Sequence, residues 1–69
     1  MKMSARNQLK GKIKSVKQGS VMAEVVVTLP DGQEIVSAIT LGSIQELNLK
    51  AGDNVIAIIK STEVMIGIE

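Results

Sequence analysis

Val55-Ile56-Ala57-Ile58-Ile59-Lys60-Ser61-Thr62-Glu63-Val64-Met65-Ile66-Gly67 is the stretch from which the rest of the chain can be read. Two apolar runs flank four polar residues. Five consecutive apolar residues rich in β-branched side chains read as a strand covered on both faces. Val64 to Ile68 reads the same way. The polar interval holds an ammonium, two hydroxyls and several backbone N–H groups, all donors held at the ends of rigid strands. That is half of an anion site, and Ser4-Ala5-Arg6-Asn7 near the N-terminus is the expected other half.

The rest of the chain predicts three further strands and a short helix. Leu9 to Gln18 alternates Leu9, Gly11 and Ile13 with Lys10, Lys12 and Lys14. Val16 breaks that parity, which predicts a bulge or bend near Ser15. Gly11 inside a strand predicts a sharp bend or a close backbone approach. Lys17-Gln18-Gly19-Ser20 reads as a turn. Val21 to Leu29 follows as strand two, with Val21, Ala23, Val25, Val27 and Leu29 inward. Leu29-Pro30-Asp31-Gly32-Gln33 is a hairpin signal, since Pro30 presets φ, Asp31 can bond nearby backbone and Gly32 accepts positive φ. Strand three returns over Gln33 to Leu41, with Ile35, Ile39 and Leu41 inward. Ser43 and Glu46 have the spacing of a capping box for a helix over Gly42 to Leu47, with Ile44 and Leu47 on one face. Leu49 to Asp53 is a turn into strand four, Asn54 to Ile59, and strand five runs from Val64 to about Ile68. The expected fold is all-β: a five-stranded Greek-key barrel of the OB type with one short helix between strands 3 and 4. An SH3-like barrel is the alternative.

Sixty-nine residues make a single domain over 1–69 whose own core is marginal. With no Cys and no His, disulfides and the usual transition-metal ligands are excluded. A 45% hydrophobic content then exceeds what one small core can cover, so self-association is expected. The absence of Phe, Tyr and Trp removes the stacking platforms that grip single-stranded nucleic acid. Met1-Lys2-Met3-Ser4 has no apolar signal region, and no stretch approaches a membrane span, so a cytoplasmic protein is expected. Lys2, Arg6, Lys10, Lys12, Lys14 and Lys17 lie in the first 20 residues without a single acid, whereas the remainder is net acidic. A basic strand beside acidic neighbours explains that asymmetry better than a nucleic-acid face, because net charge is only +1.

Catalysis is poorly supported. Ser and Thr are plentiful, but no His can act as their base. Asp31, Glu34, Asp53 and Glu63 are scattered, and no Gly-rich phosphate loop of the Walker type is present. Ser4 to Gln8 and Lys60 to Thr62 instead offer donors without carboxylates between them. Arg6 can grip two oxygens of an oxyanion at once. Taken singly, each of these residues is as well explained as a surface charge or a plain cap.

Ser4-Ala5-Arg6-Asn7, Leu9-Lys10-Gly11 and Lys60-Ser61-Thr62-Glu63-Val64-Met65-Ile66-Gly67, together with Ala23-Glu24-Val25 and Gly32-Gln33-Glu34-Ile35, resemble the molbindin (Mop) family of small molybdate- and tungstate-binding proteins. The resemblance implies an OB-like fold assembled as a homohexamer, a trimer of dimers, with oxyanions held between subunits. Ser4, Ala5 through its N–H, and Arg6 would meet Lys60, Ser61 and Thr62 of a neighbouring chain. A second class of oxyanion site near the three-fold axis would fall at Gly19 and Ser20. The ligand implied is molybdate or tungstate, with no covalently bound cofactor and metal bound only as its oxyanion. The implied role is storage or buffering. A nucleic-acid module using Lys10, Lys12 and Lys14, or a purely structural oligomer, are the other classes open to the sequence.

Overall fold

The computed structural model describes residues 1–69. The order is β1 (Asn7–Gln18), β2 (Met22–Thr28), β3 (Glu34–Thr40), α1 (Leu41–Leu47), β4 (Asn54–Ile59) and a 3-10 turn over Ser61–Glu63. The strands form one curled antiparallel sheet, half a barrel, in the order β3-β2-β1-β4.

β1 belongs to both halves of that sheet. Its first half pairs with β4 from Asn7↔Ile59 to Lys12↔Asn54, and its second half pairs with β2 from Lys12↔Thr28 to Gln18↔Ala23. The strand can change partners at Lys12 because Gly11 has no side chain. A Cβ on Gly11 would stand 2.6 Å from Val27 Cγ1 and 2.7 Å from the Thr28 carbonyl oxygen. The expected irregularity lies between Ile13 and Ser15, where Lys14 is the extra residue. The bulge restores parity, so Ile13 and Val16 both face the core. Lys14, turned outward, pairs with Glu34 at 2.7 Å.

The β2–β3 hairpin follows its turn residues. Gly32 takes φ +92, Gly32 N–H donates to the Leu29 carbonyl at 2.9 Å, and Gln33 N–H donates to Asp31 Oδ1 at 3.1 Å. The Gln33 side-chain amide and its backbone N–H hold the Asp31 carboxyl below the usual carboxylate value.

Five residues are buried: Ile13, Ala23, Val25, Val27 and Ile44. Val16, Ile39, Leu41, Leu49 and Val55 pack around them half-buried. So small a core leaves an open apolar concavity of about 1360 Å³, bounded by residues such as Val27, Ile35, Ile39, Val55, Ala57 and Ile59.

Four sequence expectations are corrected. The chain contains four strands, because Val64–Ile68 has no ladder partner within it and lies exposed, Met65 by 92% and Ile68 by 95%. The helix is capped by Thr40 rather than by Ser43: Thr40 ends β3 in extended backbone, so its hydroxyl reaches the turn first and accepts from Ser43 N–H at 3.1 Å. Leu47 is exposed while Ile44 is buried, since Leu47 lines the apolar concavity that the single chain leaves open. Val21 is also exposed, because it lies in the bend before β2 and contributes its carbonyl, at 2.8 Å from Leu41 N–H, rather than its side chain.

Candidate functional site

The two donor clusters leave the same end of one ladder. Asn7 and Ile59 are its last pair, so Ser4-Ala5-Arg6 lead into it on one strand and Lys60-Ser61-Thr62 lead out on the other. The pairing of β1 with β4 thus brings residues more than 50 positions apart in sequence to one edge of the sheet within a single chain. Ala5 is half-buried, and Ser4, Arg6, Lys60, Ser61 and Thr62 are exposed.

Local structure fixes both segments. Gln8 Nε2 donates to the Ala5 carbonyl at 2.6 Å, which ties the chain before β1 back onto the strand. The spacing of three between those residues was the available sequence signal for this tie. After β4, Glu63 N–H donates to the Lys60 carbonyl at 2.9 Å and closes the turn. The turn's own bonds begin only there. Its earlier N–H groups meet no side-chain cap.

The site is unneutralised. The two ion pairs of the chain are Lys14–Glu34 and Lys50–Asp53, so neither Arg6 nor Lys60 is engaged by a carboxylate. The hydroxyls of Ser4, Ser61 and Thr62 take part in no side-chain hydrogen bond. Two cations and three hydroxyls therefore stand ready to donate to an acceptor from outside the chain. No group of three or more Asp and Glu is placed to hold a bare cation. An arrangement dominated by cations and free donors suits an oxyanion.

Gly19 and Ser20 are at the opposite end of β1, beyond Gln18. Gly19 N–H donates to the Met22 carbonyl at 2.8 Å and is used by its own turn. The shallow hollow beside it is lined by Lys17, Gln18, Met22 and Glu24. Lys17 and Glu24 are ladder partners, so this hollow is closer to charge balance than the first cluster.

Residues 3–66 match the model of the TOBE domain. The chain is 53% identical over 66 residues to molybdenum-pterin-binding protein 3 of Clostridium pasteurianum, covering 96% of this chain and 97% of that one. Among solved structures it superposes on MopII from Clostridium pasteurianum with a TM-score of 0.93 and 49% identity, covering 97% of this chain and all of the other. A molybdate-binding protein from Sporomusa ovata gives a TM-score of 0.92 at 41% identity, with 99% and 100% coverage. Matched over residues 3–66 by the domain model and along nearly the whole of both chains by its relatives, the chain belongs to the TOBE-domain family of small molybdenum-pterin-binding (Mop) proteins.

Proposed function

We propose that this chain binds molybdate or tungstate as the intact oxyanion, between subunits of a homo-oligomer, and serves to store or buffer it in the cytoplasm. The observation that carries the reading is the end of the β1–β4 ladder, where Arg6 and Lys60 stand without a carboxylate and Ser4, Ser61 and Thr62 have free hydroxyls. Molybdate is a tetrahedral dianion with four acceptor oxygens. A site dominated by cations and N–H donors favours a fully deprotonated dianion over phosphate, which is partly protonated near neutral pH. The names of the relatives include a pterin, but the chain has no aromatic ring on which a pterin could stack. The oxyanion is therefore the favoured ligand. With no His or Cys to supply a base or nucleophile, we read a binding protein and not an enzyme.

The assembly follows from what the single chain leaves open. The apolar tail over Val64–Ile68 has no partner of its own, and the half-barrel has an apolar concavity and free strand edges. A tail contributed by a neighbouring chain would supply the fifth strand, complete the Greek-key barrel and set the ladder end of one chain, with its Ser4, Ala5, Arg6, Lys60, Ser61 and Thr62, against that of the neighbour, so that the oxyanion lies at the seam between them. A trimer of such dimers is the hexamer. Gly19 and Ser20 would line its second class of site through the Ser20 N–H and hydroxyl, since Gly19 N–H is already used.

Calorimetric titration of molybdate into the wild type, Arg6→Ala and Lys60→Ala tests the site. Each charged hydrogen bond contributes roughly 1.5–3 kcal/mol. Each substitution is therefore expected to weaken binding by about one to two powers of ten. Unchanged affinity in both variants refutes the assignment. Parallel titrations with sulfate and phosphate measure selectivity.

A further inference from the structure

We propose that Glu63 is an opposing charge built into the oxyanion turn, one that holds affinity down and keeps the bound anion exchangeable. The proposal rests on the oxyanion reading above. Glu63 is the sole carboxylate within the two donor segments, residues 4–8 and 60–63. Its backbone is fixed relative to Lys60, because Glu63 N–H donates to the Lys60 carbonyl at 2.9 Å and closes the Ser61–Glu63 turn. A four-residue turn closed in this way holds its first and last Cα atoms within about 7 Å, so Glu63 stays beside Lys60. A carboxylate at such a place ordinarily pairs with the neighbouring lysine or caps an N–H group. The Glu63 carboxylate does neither: it is exposed and takes no ion pair and no hydrogen bond in the chain. Its charge is left to act on whatever Lys60 holds.

Were the carboxylate on the order of 9 Å from the bound dianion, repulsion in a water-like dielectric would lower affinity roughly fivefold. Salt screens that repulsion, because the Debye length falls to about 3 Å at 1 M. A store that must give up its oxyanion gains from such a brake, since weaker binding within one site is mostly faster release.

The test uses the full chain as purified, titrated with sodium molybdate at low and high potassium chloride. Glu63→Gln is expected to bind about fivefold tighter than wild type at low salt and to converge with it at high salt. Glu63→Asp, which keeps the charge, should stay within about twofold of wild type, and the urea midpoint of the ligand-free Glu63→Gln protein should not move. Equal or weaker binding by Glu63→Gln at low salt overturns the proposal, as does a gain that persists unchanged at high salt. Arg6→Ala run alongside separates the two readings. If it weakens binding while Glu63→Gln has no effect, this proposal alone fails. If neither has an effect, the site itself is misplaced and both readings fail.

Discussion

Replacing Gly11 by alanine tests the close approach that lets β1 serve two ladders. Glycine to alanine in a strand is ordinarily favourable by roughly 0.5–1 kcal/mol, because alanine loses less backbone freedom on folding. Here the added Cβ would meet Val27 Cγ1 at 2.6 Å and the Thr28 carbonyl oxygen at 2.7 Å, with Leu29 Cδ2 at 3.4 Å. The Val27 methyl belongs to one of the five buried side chains and has little room to turn. The Thr28 oxygen is backbone in the β1–β2 ladder and moves only if the strands part. Restoring ordinary contact requires an opening of roughly 0.8 Å, and overpacking of this kind costs about 1–3 kcal/mol. The net expectation is a loss of about 1–2 kcal/mol. Gly42→Ala is the control, because a Cβ there meets nothing nearer than Thr40 Oγ1 at 3.9 Å and sits in α1, where alanine is favoured. It is expected to stabilise by about 0.5–1 kcal/mol. With no Trp or Tyr to report by fluorescence, urea unfolding is best followed by far-ultraviolet circular dichroism at one fixed protein concentration. At a slope near 1 kcal/mol per molar urea, Gly11→Ala should move the midpoint down by about 1–2 M. A Gly11→Ala midpoint at or above that of wild type would show that the strands are not in hard contact there.

Two further outcomes follow from the structure. A chain ending at Val64 removes residues with no ladder partner of their own, so its circular dichroism should keep the sheet signal while sedimentation shows a smaller species than the full chain; an unchanged sedimentation coefficient rules out the tail as the joining element. Asp31 is held below its ordinary value of 3.8 by the side-chain and backbone hydrogen bonds from Gln33, so its contribution to stability is complete above that pH and is lost as pH falls through the lower folded value. An NMR titration should place the Asp31 midpoint below 3.8 in wild type and closer to 3.8 in Gln33→Ala, and identical midpoints in the two proteins refute the assignment of cause.

Much of the fold could be read from local chemistry. The hairpin at Pro30-Asp31-Gly32 is specified by turn residues, and the bulge by the break in alternation between Ile13 and Val16. The close approach at Gly11 could be read from a glycine within a strand. The failures occurred where the outcome depends on partners distant in sequence. Val64–Ile68 has the composition of a buried strand, but composition does not say which chain will bury it, and within one chain nothing does. Ser43 and Thr40 both have a capping hydroxyl, and the choice between them is set by where β3 stops. The candidate site divides in the same way. Its donor residues were visible as two clusters without carboxylates, and the β1–β4 register that sets them side by side was not.

The bulge at Lys14 has a consequence for the length of the chain. Elsewhere in β1, losing one residue would turn every later side chain over and expose Val16 in place of Ser15 or Lys17. At the bulge, Ile13 already faces Val27 and Ser15 already faces Val26, so removing Lys14 would join two neighbours whose partners are consecutive. The strand has a spare link there. Its loss would sacrifice the contact with Glu34 but leave the inner face of the barrel wall in order, so variation in strand length is most easily absorbed at this point.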